Sequence, residues 1–279
     1  MRIGIVGVDS SHAEDFLRHF NAERRHNELR VAAIWGGDSA RMAELCAASP
    51  EVRAADSLAD LIGSVDAVIV GDRHGALHRG HALAAIEARR PIFVDKPLAN
   101  SLIDAVAIVE AAERAGVPLL SGSALRWQAE TLRVKAKILG LDGPIRLTAY
   151  GTWYPQNAYG GAIFYAIHTI ELAQELLGAA WQSLRLKSAD GSSVQYRAGP
   201  HEVTLEFRPL EGETSDFGVK VRAQSVKFEQ KIPLGDDYML PVVDRIAAML
   251  RTGHGGLTRE ELLAPVRMME AIAAVMPPS

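Results

Sequence analysis

From Met1 to Ser121 short apolar runs alternate with longer helical stretches. Ile3-Gly4-Ile5-Val6-Gly7 has no polar gap, as a strand buried on both faces requires, and Ala13 to Asn21 follows it with a helical period. Leu29 to Trp35 is a second strand, ended by Gly36-Gly37. Ala40 to Ala48 is helical, Ser57 to Ile62 is a short helix opened by a capping serine, and Asp66 to Val70 is again a buried strand. Ala76 to Arg89 is helical, Pro91 to Val94 a strand, Ser101 to Ala115 a helix closed by Gly116, and Val117 to Leu120 a last strand. Strands and helices in this alternation predict a doubly wound parallel sheet, an α/β domain over residues 1–121.

Beyond about residue 121 the pattern changes. Leu125 to Leu139 is helical. Ile145 to Tyr154, Ser183 to Ser188, Val194 to Ala198, Val203 to Arg208, Phe217 to Ala223 and Ser225 to Ile232 are strands joined by turns. Few helices intervene, which predicts an α+β domain over 122–279 with an open, mostly antiparallel sheet. One strong helix, Ala162 to Leu177, is expected across one face. Two terminal helices follow, Leu240 to Arg251 and Thr258 to Val275, the second opened by the capping box Thr258-Arg259-Glu260-Glu261.

Composition narrows the classes of function. With 48% hydrophobic and 23% charged residues the 279-residue chain reads as an ordinary soluble globular protein. A net charge of -4 and the lack of any block of like charges give no footprint for nucleic acid. The single cysteine, Cys46, forms no intramolecular disulfide and reads as a small buried hydrophobe, which fits a reducing cytoplasm. Met1-Arg2 leads straight into the first strand, and no 18-residue apolar run occurs, so neither export nor a membrane span is expected. An uncovered sheet face predicts a homo-oligomer, a dimer or tetramer formed through that face.

The chemistry concentrates at Val94-Asp95-Lys96-Pro97-Leu98. A lysine where a parallel strand ends, fixed by the proline behind it, projects an amine toward the crevice in which such sheets bind ligands. A surface lysine on a turn is the plainer alternative. In the second half His168 lies within Ile167-His168-Thr169-Ile170-Glu171-Leu172, either an active-site imidazole or a core histidine satisfied by backbone.

With Ile5-Val6-Gly7, Asp95-Lys96-Pro97-Leu98-Ala99, Leu77-His78, His168 and the Thr258-Arg259-Glu260-Glu261 helix in this order, the chain resembles the glucose-fructose oxidoreductase / inositol dehydrogenase / MocA (Gfo/Idh/MocA) family nearly end to end. The resemblance implies a Rossmann-like domain binding NAD or NADP, and hydride transfer to or from a carbinol of a sugar, polyol or derivative. It implies that Lys96 orients the cofactor and hydrogen-bonds the reacting oxygen, while His168 takes or returns its proton. The cofactor set carried over is Gly7, Ser10, Ser11, His12, Asp72, Arg73, Asp95 and Lys96. Arg126, Trp127, Tyr154 and Tyr165 are the expected substrate residues, since aromatic faces pack on sugars and arginine bonds hydroxyls. Trp153 and Asn157-Ala158-Tyr159-Gly160-Gly161 belong to the same region.

Several positions depart from the family pattern. Of three fingerprint glycines only Gly7 survives in Gly7-Val8-Asp9-Ser10-Ser11-His12, and the Asp9 carboxylate is expected to repel a pyrophosphate at close range. The ribose acid after the second strand aligns with Gly36, with Asp38 two residues late. The Thr-Pro-Asn run beside the nicotinamide appears as Arg73-His74-Gly75, and the aspartate four residues before the active-site histidine is Phe164. Asp9, His12, Asp72 and His74 therefore offer a second reading, a divalent metal site serving a dinucleotide-independent lyase or isomerase. Against it, Asp9 caps the first helix and the histidines pack at helix ends. A non-catalytic sensor or scaffold on the same fold is a third reading. His19, His26, His81, His201 and His254 are read as solvated or packed residues without a role.

Overall fold

The computed structural model describes residues 1–154, 157–159, 164–210 and 216–276. Strands β1 (Arg2–Val6), β2 (Arg30–Trp35), β3 (Arg53–Ala54), β4 (Ala67–Val70), β5 (Ile92–Val94) and β6 (Leu119–Ser121) form one sheet in the order β3-β2-β1-β4-β5-β6. Every pairing in it is parallel, the arrangement the alternating pattern requires. The helices between them are α1 (His12–Leu17), α2 (Ser39–Ala48), α3 (Leu58–Ser64), α4 (His78–Glu87) and α5 (Leu102–Ala115). Serine caps begin α3 and α5, Ser57 accepting from Asp60 N–H and Ser101 from Asp104 N–H. Gly116 in the left-handed region ends α5.

β4, β5 and β6 are buried at every residue, so their apolar runs mark strands covered on both faces. β3 was not legible in the pattern because it has two residues, both exposed. α1 passes directly into a π-helical turn, Arg18–Ala22. Phe16 on α1 meets Phe93 of β5 edge-on with ring centroids 6.0 Å apart, a contact worth about 1 kcal/mol beyond the area it buries. That contact packs the last turn of α1 on the middle of β5, and His12 at the start of the helix reaches Asp95 just beyond the strand.

The second sheet contains β7 (Arg146–Trp153), β8 (Gln182–Leu186), β9 (Ser193–Ala198), β10 (His201–Pro209), β11 (Gly218–Ala223) and β12 (Val226–Lys231), in the order β12-β11-β7-β10-β9-β8. Only β7 with β10 is parallel among its pairs; the rest are antiparallel. The stretch expected as one helix from Leu125 is a 3-10 turn (Ala124–Trp127) followed by α6 (Ala129–Leu139), the break falling at Gln128 with an extended ψ of 143°. α7 (Ala166–Leu177) packs on β7 and β10, and residues 162–163 of the expected helix lie outside the described residues. Leu147, Ala149, Val203, Leu205, Val219 and Val221 meet Ile167, Ile170 and the terminal helix α9 (Arg259–Val275) in one core. The opposite face carries Arg146, Arg197, Glu202 and Arg222, which line a depression of about 610 Å³. The face expected to pair with its own copy is therefore charged rather than apolar there.

By packing the chain divides into two compact units, Met1–Gly122 with Met239–Thr258, and Ser123–Tyr238 with Arg259–Ser279. The helix α8 (Leu240–Thr252), expected with the second domain, thus groups with the first. Its neighbours there are β6 and the π-helical turn, and Asp244 and Arg251 pair with His26 and Glu28. Among the described residues no helix is long and apolar enough to cross a membrane.

Candidate functional site

In the first unit the strand ends bring their loops together. Gly7 follows β1 with φ of 82°, and a Cβ there would stand 2.5 Å from the Asp72 nitrogen, so only glycine lets the turn after β1 pass the turn after β4. Gly7 N–H donates to the Trp35 carbonyl at 2.8 Å and Val8 N–H to that of Gly36, which lays this turn against the end of β2. The Asp9 carboxylate accordingly lies over Gly37 and accepts from Asp38 N–H at 3.2 Å. The carboxylate expected to repel a pyrophosphate is thus bonded at the end of β2. Asp38, two residues late for a ribose acid, caps α2 through Arg41 N–H.

Asp95 at the end of β5 is 3% exposed. His12 Nδ1 lies 2.7 Å from its Oδ2, and Lys96 N–H donates to Oδ1 at 2.8 Å. Burial alone would raise the carboxyl pKa. The charges of His12 and Lys96 and the hydrogen bonds from both outweigh that and hold it well below the usual carboxylate range. Lys96 itself is half-buried and is joined to Pro97 by a cis peptide bond. His78, fully buried, bridges the carbonyls of Asp72 and Pro97 at 2.8 Å each, tying the turn after β4 to the turn that carries Lys96.

Asp72, expected to touch the cofactor, is 3% exposed and its carboxylate bonds His81 Nδ1 at 2.7 Å. His81, read as having no role, is its partner. The signal available for it was the spacing of His78 and His81, three residues apart and so on one helix face. Asp95 is likewise 3% exposed, with its carboxylate engaged by His12 and by Lys96 N–H. His74 accepts from Ala76 N–H and meets the Asn100 amide at 3.3 Å. The four residues of the metal reading are thus engaged separately, Asp9 with Asp38, His12 with Asp95, Asp72 with His81 and His74 with Asn100. Among the described residues no three of them gather at ligand distance.

In the second unit His168 projects from α7 with Nδ1 2.7 Å from Ser123 Oγ. Its ring is flanked by those of Tyr165, with centroids 5.8 Å apart, and Phe217, at 5.7 Å. Tyr165 therefore shares the side of His168, as the three-residue spacing predicted. Ser123 N–H donates to Glu171 Oε2 at 2.8 Å. Arg126, expected at the substrate, is 2% exposed and is held by Glu171 at 3.5 Å and Glu175 at 3.0 Å. Its guanidinium is spent on these internal pairs. Trp127 is buried at 6% exposure, and Tyr154 is exposed. Trp153 packs on Phe207 with centroids 5.9 Å apart, and Gly160 and Gly161 lie outside the described residues. Ser123 gave no sequence signal, because its partners lie 45 and 48 residues away.

A parallel sheet of order 3-2-1-4-5-6 with a lysine at the end of its fifth strand, joined to a second open sheet, defines a class that comparison makes specific. Residues 1–123 match the family model described as "Oxidoreductase family, NAD-binding Rossmann fold". Inositol 2-dehydrogenase 2 of Paenarthrobacter aurescens is 32% identical over 245 residues, 80% of this chain and 70% of the relative. The chain belongs to the Gfo/Idh/MocA oxidoreductase family. Inositol 2-dehydrogenase 3 of Saccharopolyspora erythraea is 35% identical over 128 residues, which is 45% of this chain and 36% of the relative. The chain spans 36% and 42% of the lengths of the first two curated relatives it matches. Among solved structures GenD2 from gentamicin A biosynthesis, in complex with NAD, shares the fold with a TM-score of 0.80 at 18% identity, covering 97% of this chain and 92% of that one.

Proposed function

We propose that the chain is an NAD-dependent dehydrogenase acting on a carbinol of an inositol-like polyol or sugar. The observation that carries this reading is the end of β5, where a buried carboxylate kept ionised by His12 lies beside Lys96 at the carboxyl edge of a parallel sheet. The named relatives being inositol 2-dehydrogenases supports the substrate class.

The residues fit a dinucleotide. Gly7 makes the turn that a Cβ would block, and two hydroxyls follow it in the chain, those of Ser11 and of Ser10, whose Oγ accepts from His12 N–H at 3.1 Å. Asp9 supplies a carboxylate at the end of β2, where such folds place the acid for the ribose hydroxyls, which favours NAD over NADP. When bound, the nicotinamide would accept the hydride. Lys96 is the group proposed to take the hydroxyl proton, and His168, whose Nδ1 is committed to Ser123, meets the substrate through Nε2.

Binding and turnover test this directly. At millimolar NAD the protein should gain about 1 kcal/mol or more of stability in a thermal shift, with a smaller gain from NADP. Lys96→Ala should keep the fold and reduce NADH formation with myo-inositol by about a thousandfold, the scale of a lost acid–base group. No stabilisation by either dinucleotide, or activity retained in K96A, overturns the reading.

A further inference from the structure

Ser123 stands immediately before the 3-10 turn that it caps, its Oγ accepting from Leu125 N–H at 3.2 Å. The same oxygen lies 2.7 Å from His168 Nδ1, and Ser123 has no exposed surface. A hydroxyl has one hydrogen to give. Buried from water, that hydrogen has Nδ1 as its acceptor among the described residues. Were Nδ1 to carry a hydrogen and donate to Oγ, the hydroxyl hydrogen would be left buried and unsatisfied, an unfavourable arrangement.

We infer that Ser123 donates to His168 Nδ1 and fixes the neutral ring as the Nε2–H tautomer, so that His168 holds the reacting oxygen as a hydrogen-bond donor and does not receive its proton. This rests on the dehydrogenase reading for the substrate oxygen, but not for the tautomer. In carbinol oxidation the C–H bond breaks as the hydride passes to the dinucleotide, and the O–H bond breaks as its proton passes to a base. With Nε2 already bearing hydrogen that base is another group, and Lys96 Nζ, gaining an N–H bond, is the candidate.

The placement of Ser123 does not depend on the hydroxyl alone. Its N–H donates to Glu171 Oε2 at 2.8 Å, and Glu171 lies three residues after His168 on the same face of α7. Arg126 in turn pairs with Glu171. Ser123 is thus held to α7 twice, by its backbone at Glu171 and by its side chain at His168, which fixes the ring against rotation. A carboxylate beside Nδ1 would do the reverse. It only accepts, so it would keep the hydrogen on Nδ1 and leave Nε2 as a base. Ser123 is in this sense a positioning residue that sets which task the imidazole performs.

Long-range ¹H–¹⁵N correlation spectra of the full chain, labelled in histidine and recorded above the imidazole titration, read the tautomer directly. His168, assigned by its loss in His168→Gln, is expected to show hydrogen on Nε2 in the wild type and in Ser123→Thr. Ser123→Ala should lose the fixed tautomer, and Ser123→Asp should move the hydrogen to Nδ1. In turnover S123A should lower kcat about tenfold, the rate equivalent of one hydrogen bond, with KM changed by less than about twofold and with S123T restoring the rate. Hydrogen on Nδ1 in the wild type, or an unchanged pattern in S123A, overturns the inference, and the wild-type spectrum decides even where a variant fails to fold. Absence of polyol turnover with an Nε2–H signal would instead count against the dehydrogenase reading.

Discussion

Replacing His12 by alanine removes the imidazole that faces a carboxylate with 4% side-chain exposure. Breaking a buried pair from one side costs about 3–5 kcal/mol, because the remaining charge is stranded. Here Lys96 N–H still donates to Asp95 at 2.8 Å, so the low end applies, about 3 kcal/mol. For a unit of this size that is a fall in Tm of about 6–12 °C. The pH dependence has a definite sign. Asp95 in the folded chain titrates below its unfolded value of about 3.9, so its share of stability is complete above that value and is lost as pH falls toward the folded one. Without His12 the folded value rises relative to wild type, because its charge and hydrogen bond no longer offset burial, so the deficit of H12A against wild type should shrink rather than widen between pH 7 and about pH 4. Thermal unfolding of H12A, Asp95→Asn and the double variant, at both pH values, completes a cycle. The double variant should lie within about 1 kcal/mol of D95N, since the two residues act as one pair. A deficit that widens on acidification, or two fully additive substitutions, would refute the assignment.

Two further substitutions probe the scaffold. Gly7→Ala must adopt φ near 82° and place a Cβ within 2.6 Å of Asp72 atoms, so it should cost about 2 kcal/mol or more in denaturant unfolding and abolish stabilisation by NAD. An unchanged midpoint would show that the turn has room. Arg126→Ala should destabilise by about 3 kcal/mol by removing the cation that Glu171 and Glu175 share, Glu175 keeping Lys135 at 2.6 Å. A loss under about 1 kcal/mol, read from guanidinium titration, would mean that these carboxylates find other partners.

The sheet of the first unit was legible because β1, β4, β5 and β6 are nearly continuous apolar runs, and burial on both faces leaves that mark on a sequence. Lys96 was legible for the same reason, since a strand end followed by proline is a local signal. Pairings were not. The bonds from His12 to Asp95 and from Ser123 to His168 close over 83 and 45 residues, and a local pattern says nothing of which turn meets which. Arg126 illustrates the difference. Its type suggested hydroxyl recognition, but two glutamates one turn apart on α7 absorb its charge. The face of α8 reads as buried from its spacing, yet that spacing is equally consistent with packing on either sheet.

The interleaving of the two units bears on how the chain folds as it is made. The first unit breaks off at Gly122 and resumes at Met239, while the second breaks off at Tyr238 and resumes at Arg259. Neither is finished when its first segment leaves the ribosome. Until α8 has been synthesised β6 lacks that cover, and until α9 follows, Met268, Met269 and Ile272 are missing from the core of the second sheet. Closure of the first unit waits on residues 239–258 and that of the second on the helix after them, and fragments cut between residues 122 and 123 would each leave apolar surface bare.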